Sequence, residues 1–303
     1  MNKQELLDLY NLDLDELLKI SSQYIKNDIE FCSLINARNG KCSQNCKYCA
    51  QSSHYCTNIE SYPLVSVDEV KKVALEAKSH KASRFAIVTS GRTPDEGRDF
   101  QIELDMIKEI NKIDGLKSCA SIGILNEEQA KQLAEAGLTR FHHNINTARS
   151  YYPEVCTTHT FEDRINTCRL VKKYGMELCC GVILGMGESI EQRVEMALEL
   201  AEIQPDSIPI NILMPIPETP FENYLDKIDE ENVLRTLAIF KIANPKSVLR
   251  FCGGRMRLSE ENQRKALNTC VEGIMVGNYL TTVGKAPEAD IKTVSELGKT
   301  IAV

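Results

Sequence analysis

The sequence predicts a (β/α)8 barrel of the TIM type, with residues 1–303 forming one domain. It assigns an N-terminal helical extension (about 1–30) and a C-terminal tail (about 280–303). Three observations lead there. Eight short runs rich in β-branched residues alternate with helical patterns. Helix start and stop signals fall between them. One long connection, Arg38 to Pro63, follows the first run. A doubly wound sheet shows the same alternation and is the alternative architecture.

Along the chain, the strands fall at Phe31–Ala37, Arg84–Thr89, Lys117–Ile122, Arg140–Asn146, Glu177–Ile183, Ser207–Leu213, Val248–Gly253 and Gly273–Gly277. Helical patterns separate them. Ser66 with Glu69, and Ser189 with Gln192, have the spacing of a capping box at a helix start. Gly137 and Gly175 each end a helical segment and precede a strand. No low-complexity stretch or linker divides the chain. In a barrel, the loop after the first strand opens on the catalytic face.

A chain of 303 residues, 43% hydrophobic and 26% charged, is long enough to bury the core of one barrel. Twelve cysteines would indicate disulfides in a small secreted protein. The start, MNKQELLDLYNLDLDELLKI, is instead amphipathic and acidic, without a basic region, apolar core and cleavage site. Reduced thiols and a cytoplasmic location are therefore expected. No apolar run approaches the roughly 18 residues that span a bilayer, so no membrane association is expected. The net charge of -7 argues against nucleic acid as partner and leaves a small-molecule substrate.

The densest chemical signal is CSQNCKYCAQSSHYC, with Cys42, Cys46 and Cys49 spaced C-x3-C-x2-C and Cys56 following. Thiolates hold soft metals and iron–sulfur clusters, and three on a short loop hold three corners of a cubane while one iron stays open. With Cys56 as a fourth ligand, the same stretch reads as a zinc knuckle or a closed electron-transfer cluster.

The tripled cysteine with an aromatic, Tyr48, before its last member is similar to the signature of the radical S-adenosylmethionine (SAM) superfamily. Six segments, CKYCAQSSHY, RFHHNINT, TTHTFEDR, GVILGMGE, SIPINILMPIPETP and NYLTTVGKAPEADI, resemble the biotin synthases in the same order. That resemblance implies insertion of sulfur between two saturated carbons of dethiobiotin. Such C–H bonds lie beyond any side-chain base, and the cofactor carries the hard step. A [4Fe-4S] cluster on Cys42, Cys46 and Cys49 would cleave SAM to methionine and a 5′-deoxyadenosyl radical, with two hydrogen abstractions per ring formed. The resemblance places Tyr48, Gly185, Gly187 and Glu188 near adenine, Asn144 and Asn146 near ribose, and Arg164 near the SAM carboxylate. Asn146 stands where these enzymes usually carry Asp. Asn144 and Asn211 match positions that hold the ureido ring of dethiobiotin. Taken alone, Gly-x-Gly-Glu is a common strand-to-helix turn, Arg164 has the pattern of a surface charge, and adjacent His142 and His143 face opposite sides of a strand.

The resemblance also implies an auxiliary, sulfur-donating cluster, which in well-known members is a [2Fe-2S] centre on three Cys and one Arg. Two of those Cys fall on Cys119 and Cys179 and the Arg on Arg250, which is expected to serve catalysis. The third falls on Ala86, which cannot ligate iron. Residues two apart on a strand share a face, so if Arg250 points inward, so does Cys252. The same rule turns Cys179 inward and Cys180 outward. Cys119, Cys179 and Cys252 are therefore expected to hold the auxiliary cluster. The pattern resembles an anaerobe-associated subgroup with a [4Fe-5S] centre; a rearranged [2Fe-2S] centre is the alternative. Cys32, Cys56, Cys156, Cys168, Cys180 and Cys270 are read as bystanders. The resemblance further implies a flavodoxin or ferredoxin as reductant and a homodimer. Competing functions are another radical SAM reaction, of the hydrogenase-maturation or methylornithine-forming type, and a non-catalytic iron–sulfur carrier.

Overall fold

In most barrel strands polar or sulfur-bearing residues alternate with apolar ones, and this period of two sets the inside and outside of the molecule. The computed structural model describes residues 1–94, 97–225, 228–277 and 284–302. The strands are β1 (Asp28–Arg38), β2 (Arg84–Thr89), β3 (Lys117–Ser121), β4 (Arg140–His142), β5 (Glu177–Cys179), β6 (Val182–Leu184), β7 (Ser207–Ile212), β8 (Val248–Phe251) and β9 (Gly273–Met275). All pair in parallel, in the order β1-β2-β3-β4-β5-β7-β8-β9, with β6 also on β7. Pairing of β9 back onto β1, as at Phe31 with Ile274, closes the cylinder. With β5 and β6 as one broken strand, the barrel has eight staves and the doubly wound alternative falls.

The break has a local cause. Pro209 in β7 has no N–H to give the ladder. Opposite it, a Cβ on Gly181 would lie 1.9 Å from the Pro209 carbonyl oxygen. Three other strands stop two or more residues short of their expected ends. In β4 the extended chain ends at His142, and Asn146 is left-handed at φ 67, keeping only an isolated bridge to Val182. After β8 and β9 come the left-handed Gly254 (φ 77) and Gly277 (φ 81).

The apolar alternates Phe31, Phe85, Phe141, Leu178 and Phe251 are fully buried between barrel and helices. Ser189 and Gln192 form the complete capping box, at 3.3 and 2.8 Å, whereas Ser66 only accepts from the Glu69 amide at 3.2 Å. At the N-terminus, α1 (Lys3–Tyr10) and α2 (Leu14–Ser21) pack against α8 (Ile190–Ile203) and α9 (Glu230–Ala243). Leu6 and Leu17 are completely buried there, and the Tyr10 hydroxyl donates to Asn232 Oδ1 at 3.0 Å. At the other end, α11 (Pro287–Glu296) leads to β10 (Thr300–Ala302), a short strand with no periodic signal in sequence, which pairs with Asp28–Glu30 of β1. Residues 278–283, which begin the NYLTTVGKAPEADI segment and part of the expected tail, lie outside the described residues. Among the described residues no helix is long and apolar enough to cross a membrane.

Candidate functional site

The inward alternates build the site from the bottom up. At the floor, Glu30, Arg84, Arg140, Glu177 and Arg250 meet in one ion-pair network. Arg84 reaches Glu30 at 2.7 Å and Glu177 at 2.9 Å. Arg140 reaches the same carboxylates at 2.9 and 2.7 Å. Arg250 pairs with Glu30 and donates from Nε to Ser207 Oγ at 2.8 Å. Although burial opposes it, the three guanidinium groups hold the Glu30 carboxyl far below the usual range. Three cations against two anions leave the floor one positive charge in excess.

Two residues further along those strands, the next layer holds Cys32, Ala86, His142, Cys179 and Cys252, with Cys119 of β3 in register between Ala86 and Arg140. Sulfur dominates this layer. All four cysteines are buried. Burial pushes the Cys119 thiol up to about 11 and raises Cys32 and Cys252 as well. For Cys179 burial acts in the same direction, yet His142, by charge and hydrogen bond, together with Arg250 and Arg140 brings it down to about 6. Cys180 points the other way, toward the Cys168 sulfur at 3.9 Å.

Above the sulfur layer a cavity of about 400 Å³ opens at the C-terminal ends of the strands. Cys42, Cys46 and Cys49 all line it, as do Tyr48, Asn144, Asn146, Arg164, Asn211 and, at its base, Ala86 and Cys252. The cysteine loop is pinned by its own backbone: Cys42 N–H donates to Gln51 O at 2.9 Å, and Ser53 N–H to Cys42 O at 2.8 Å. Asn45 Oδ1 ties it to the chain after α6 (Tyr152–Val155), accepting from the Thr157 and Thr158 amides at 3.0 and 3.2 Å. Cys56 is exposed and stands off the cavity wall. The four-ligand reading of the loop therefore finds no support in the geometry.

Arg164 is no surface charge. Its Nε donates to the Tyr152 hydroxyl at 2.6 Å and its Nη1 to Asn144 O at 3.2 Å, which aims the group at the cavity. Asn144 Oδ1 accepts the Gly181 amide at 2.9 Å. Asn211 is held through both ends of its amide, by Gly253 N–H at 3.0 Å and Val182 O at 3.2 Å. Asn146, where Asp is usual, occupies a left-handed conformation that Asn and Asp tolerate best among residues with a side chain. His142 and His143 both line the cavity, because the strand ends between them and its alternation with it. Burial holds His143 well below its ordinary value and hence neutral.

Gly185, Gly187 and Glu188 are not brought to the cavity wall. The Glu188 carboxylate accepts from the Gly185 and Met186 amides at 2.9 and 2.8 Å and pairs with Arg193 at 3.0 Å, so it fixes the turn. Both glycines have positive φ, 93 and 102°, and a Cβ on Gly187 would lie 2.8 Å from the Tyr151 hydroxyl.

Sequence reasoning missed three features of the site. Cys156 lies with its sulfur 3.6 Å from Cys46 Sγ, and His159 Nε2 is 3.4 Å from each. Gln44 Oε1, Gln51 Nε2 and His143 Nε2 are buried polar atoms facing this region without a hydrogen-bond partner. Cys32 shares the inward face of β1 with Glu30, and the spacing of two used for Arg250 and Cys252 applies to it equally. Three thiols on one wall with uncompensated amide and imidazole atoms around them form a donor set that fits a site-open iron–sulfur cluster and a polar ligand.

Comparison with known proteins gives the following. Residues 38–201 match the Radical SAM superfamily and residues 209–300 the Biotin and Thiamin Synthesis associated domain. A biotin synthase of Acetivibrio thermocellus is 45% identical over 92% of this chain and 87% of its own. One of Clostridium tetani is 41% identical over 97% of this chain and 91% of its own. Among solved structures, methylornithine synthase has a TM-score of 0.84 at 17% identity, covering 100% of this chain and 94% of that one. A maturase of the [FeFe]-hydrogenase has a TM-score of 0.81 at 18% identity, covering 100% and 72%. These two share the fold.

Proposed function

The chain belongs to the biotin synthase family of the radical SAM superfamily, and from that membership we propose how its residues divide the work. The reaction is radical SAM-dependent conversion of dethiobiotin to biotin. The observation that carries the assignment of roles is the stacking inside one barrel: a three-thiol loop at the mouth, a cavity of about 400 Å³ below it, and a sulfur layer at its base.

Cys42, Cys46 and Cys49 would hold the [4Fe-4S] cluster, which when bound would supply the one-electron chemistry at SAM. Tyr48 packs beside SAM, Asn146 meets its ribose hydroxyls through an uncharged amide, and the Arg164 guanidinium, oriented by Tyr152, receives its carboxylate. The turn at Gly185, Gly187 and Glu188 acts by position, fixing the chain that follows β6. Asn144, whose Oδ1 is already engaged, offers its amide hydrogens to ribose or ureido oxygen, and Asn211 faces the ureido ring. Cys119, Cys179 and Cys252 would hold the auxiliary cluster, which when bound would supply the sulfur, and Arg250 beside it would compensate charge. Three thiolates suit a [4Fe-5S] centre with a terminal sulfide; a [2Fe-2S] centre is the other composition. A flavodoxin or ferredoxin as electron donor, a homodimer and a cytoplasmic setting complete the reading.

Incubation of anaerobic protein with dithionite, SAM and dethiobiotin tests it: 5′-deoxyadenosine and biotin are both expected. Release of neither is the result of a carrier, and 5′-deoxyadenosine without biotin that of another radical SAM enzyme.

A further inference from the structure

Cys32 lies outside the ligand set expected from the sequence, yet the barrel gives it the same standing as the three cysteines within it. We propose that Cys32 is a fourth thiolate ligand of the auxiliary iron–sulfur cluster, acting with Cys252 in place of the thiol missing at Ala86. This rests on the reading that Cys119, Cys179 and Cys252 hold that cluster.

The direction of the side chain follows from its strand. Glu30, two residues before, points inward to three arginines, and Leu34, two residues after, lines the cavity. Cys32 therefore faces the interior, between floor and cavity. Its neighbours are the other cage members. Cys32 is in register with Met275 of β9, and the pairing of Phe251 with Ile274 brings Cys252 to the same level on the other side of that strand. The Cys32 thiol donates to the Ile274 carbonyl of β9 at 3.6 Å.

The setting is wrong for a packing residue. Interiors of such barrels are normally filled by branched aliphatic side chains, whereas this layer brings together four thiols, His142 and the positive floor. By contrast, Cys270 packs away from the interior beside Ser21 Oγ at 3.3 Å, and Cys168 with Cys180 at 3.9 Å. Four thiolates complete the all-cysteine ligand set of a [2Fe-2S] centre, the other composition named above, and leave no iron open to a terminal sulfide. Arg250, engaged by Glu30 and Ser207, then has no need to ligate iron.

The test removes the first cluster so that the remaining iron reports only on the second. In full-length protein carrying Cys42→Ala, Cys46→Ala and Cys49→Ala, reconstituted anaerobically with iron and sulfide, bound iron and acid-labile sulfide are counted and Mössbauer spectra recorded. Addition of Cys32→Ala is expected to strip the auxiliary iron. Cys32→Ser, which keeps the size of the side chain, is expected to retain the far-ultraviolet dichroism of the fold and to shift the spectrum of one iron. Cys180→Ala should change neither. Unaltered iron content and spectra in both Cys32 variants would overturn the proposal. If the triple variant itself binds no iron, the auxiliary-cluster reading fails and this inference with it.

Discussion

Cys49 and Cys56 lie seven positions apart in one loop, yet one lines the cavity and the other faces solvent. Replacing Cys42, Cys46 or Cys49 by Ala should therefore abolish 5′-deoxyadenosine formation, while Cys56→Ala leaves it near wild type. Loss of cleavage in Cys56→Ala would contradict the three-ligand loop. Asn211→Ala should weaken dethiobiotin binding by about 1–3 kcal/mol, because the ureido group loses a partner in a closed pocket. Isothermal titration with SAM and with dethiobiotin checks it, and equal losses for both would count against the assignment. Much at this scale was legible, because the cysteine spacing and the segments around Asn144, Arg164 and Asn211 are local in sequence. Cys156 and His159 were not, because they reach Cys46 only through the packing of α6 against the loop. Glu188 was expected at a ligand, and its two amide bonds and its Arg193 partner became visible only with the turn folded.

The strands carry an inverted pattern in which phenylalanines face the helices and charges and sulfurs face inward. The alternation could be read at Arg250 and Cys252 from spacing alone. The break between β5 and β6 could not, since it arises where Gly181 meets Pro209, 28 residues away. Gly181→Ala should force these strands apart and destabilise the fold by about 1–3 kcal/mol or more, as overpacking does; urea denaturation measures it. The floor network gives a pH dependence with a definite sign. Glu30 titrates lower in the folded than in the unfolded state. The unfolded chain thus binds more protons in acid, and the contribution of Glu30 is complete above the ordinary carboxylate pKa of about 4.3 and lost as pH falls toward the folded value. Glu30→Gln leaves three buried arginines short of a partner and should lower stability near neutrality by about 3–5 kcal/mol. It should also flatten the loss of stability in acid, and an unchanged acid slope would contradict the network.

At the scale of the molecule, the barrel separates two tasks along its axis. On the proposed reading, the mouth, lined by the cysteine loop and Arg164, is where SAM binds, and the base, above a cationic floor, is where sulfur is stored. Eight strand–helix units were legible from alternation, but their closure became visible only where β9 pairs with β1, and β10 was not legible, because three residues carry no period and pair only through the folded N-terminal end of β1. The separation predicts that damage at the base spares the mouth. The most direct test is Cys252→Ala, reduced anaerobically and supplied with SAM and dethiobiotin, with iron, 5′-deoxyadenosine and biotin quantified together against the wild type. The division of labour predicts that the variant keeps the loop cluster and forms 5′-deoxyadenosine, but loses the auxiliary iron and makes little biotin. Full iron content with wild-type biotin formation would contradict it.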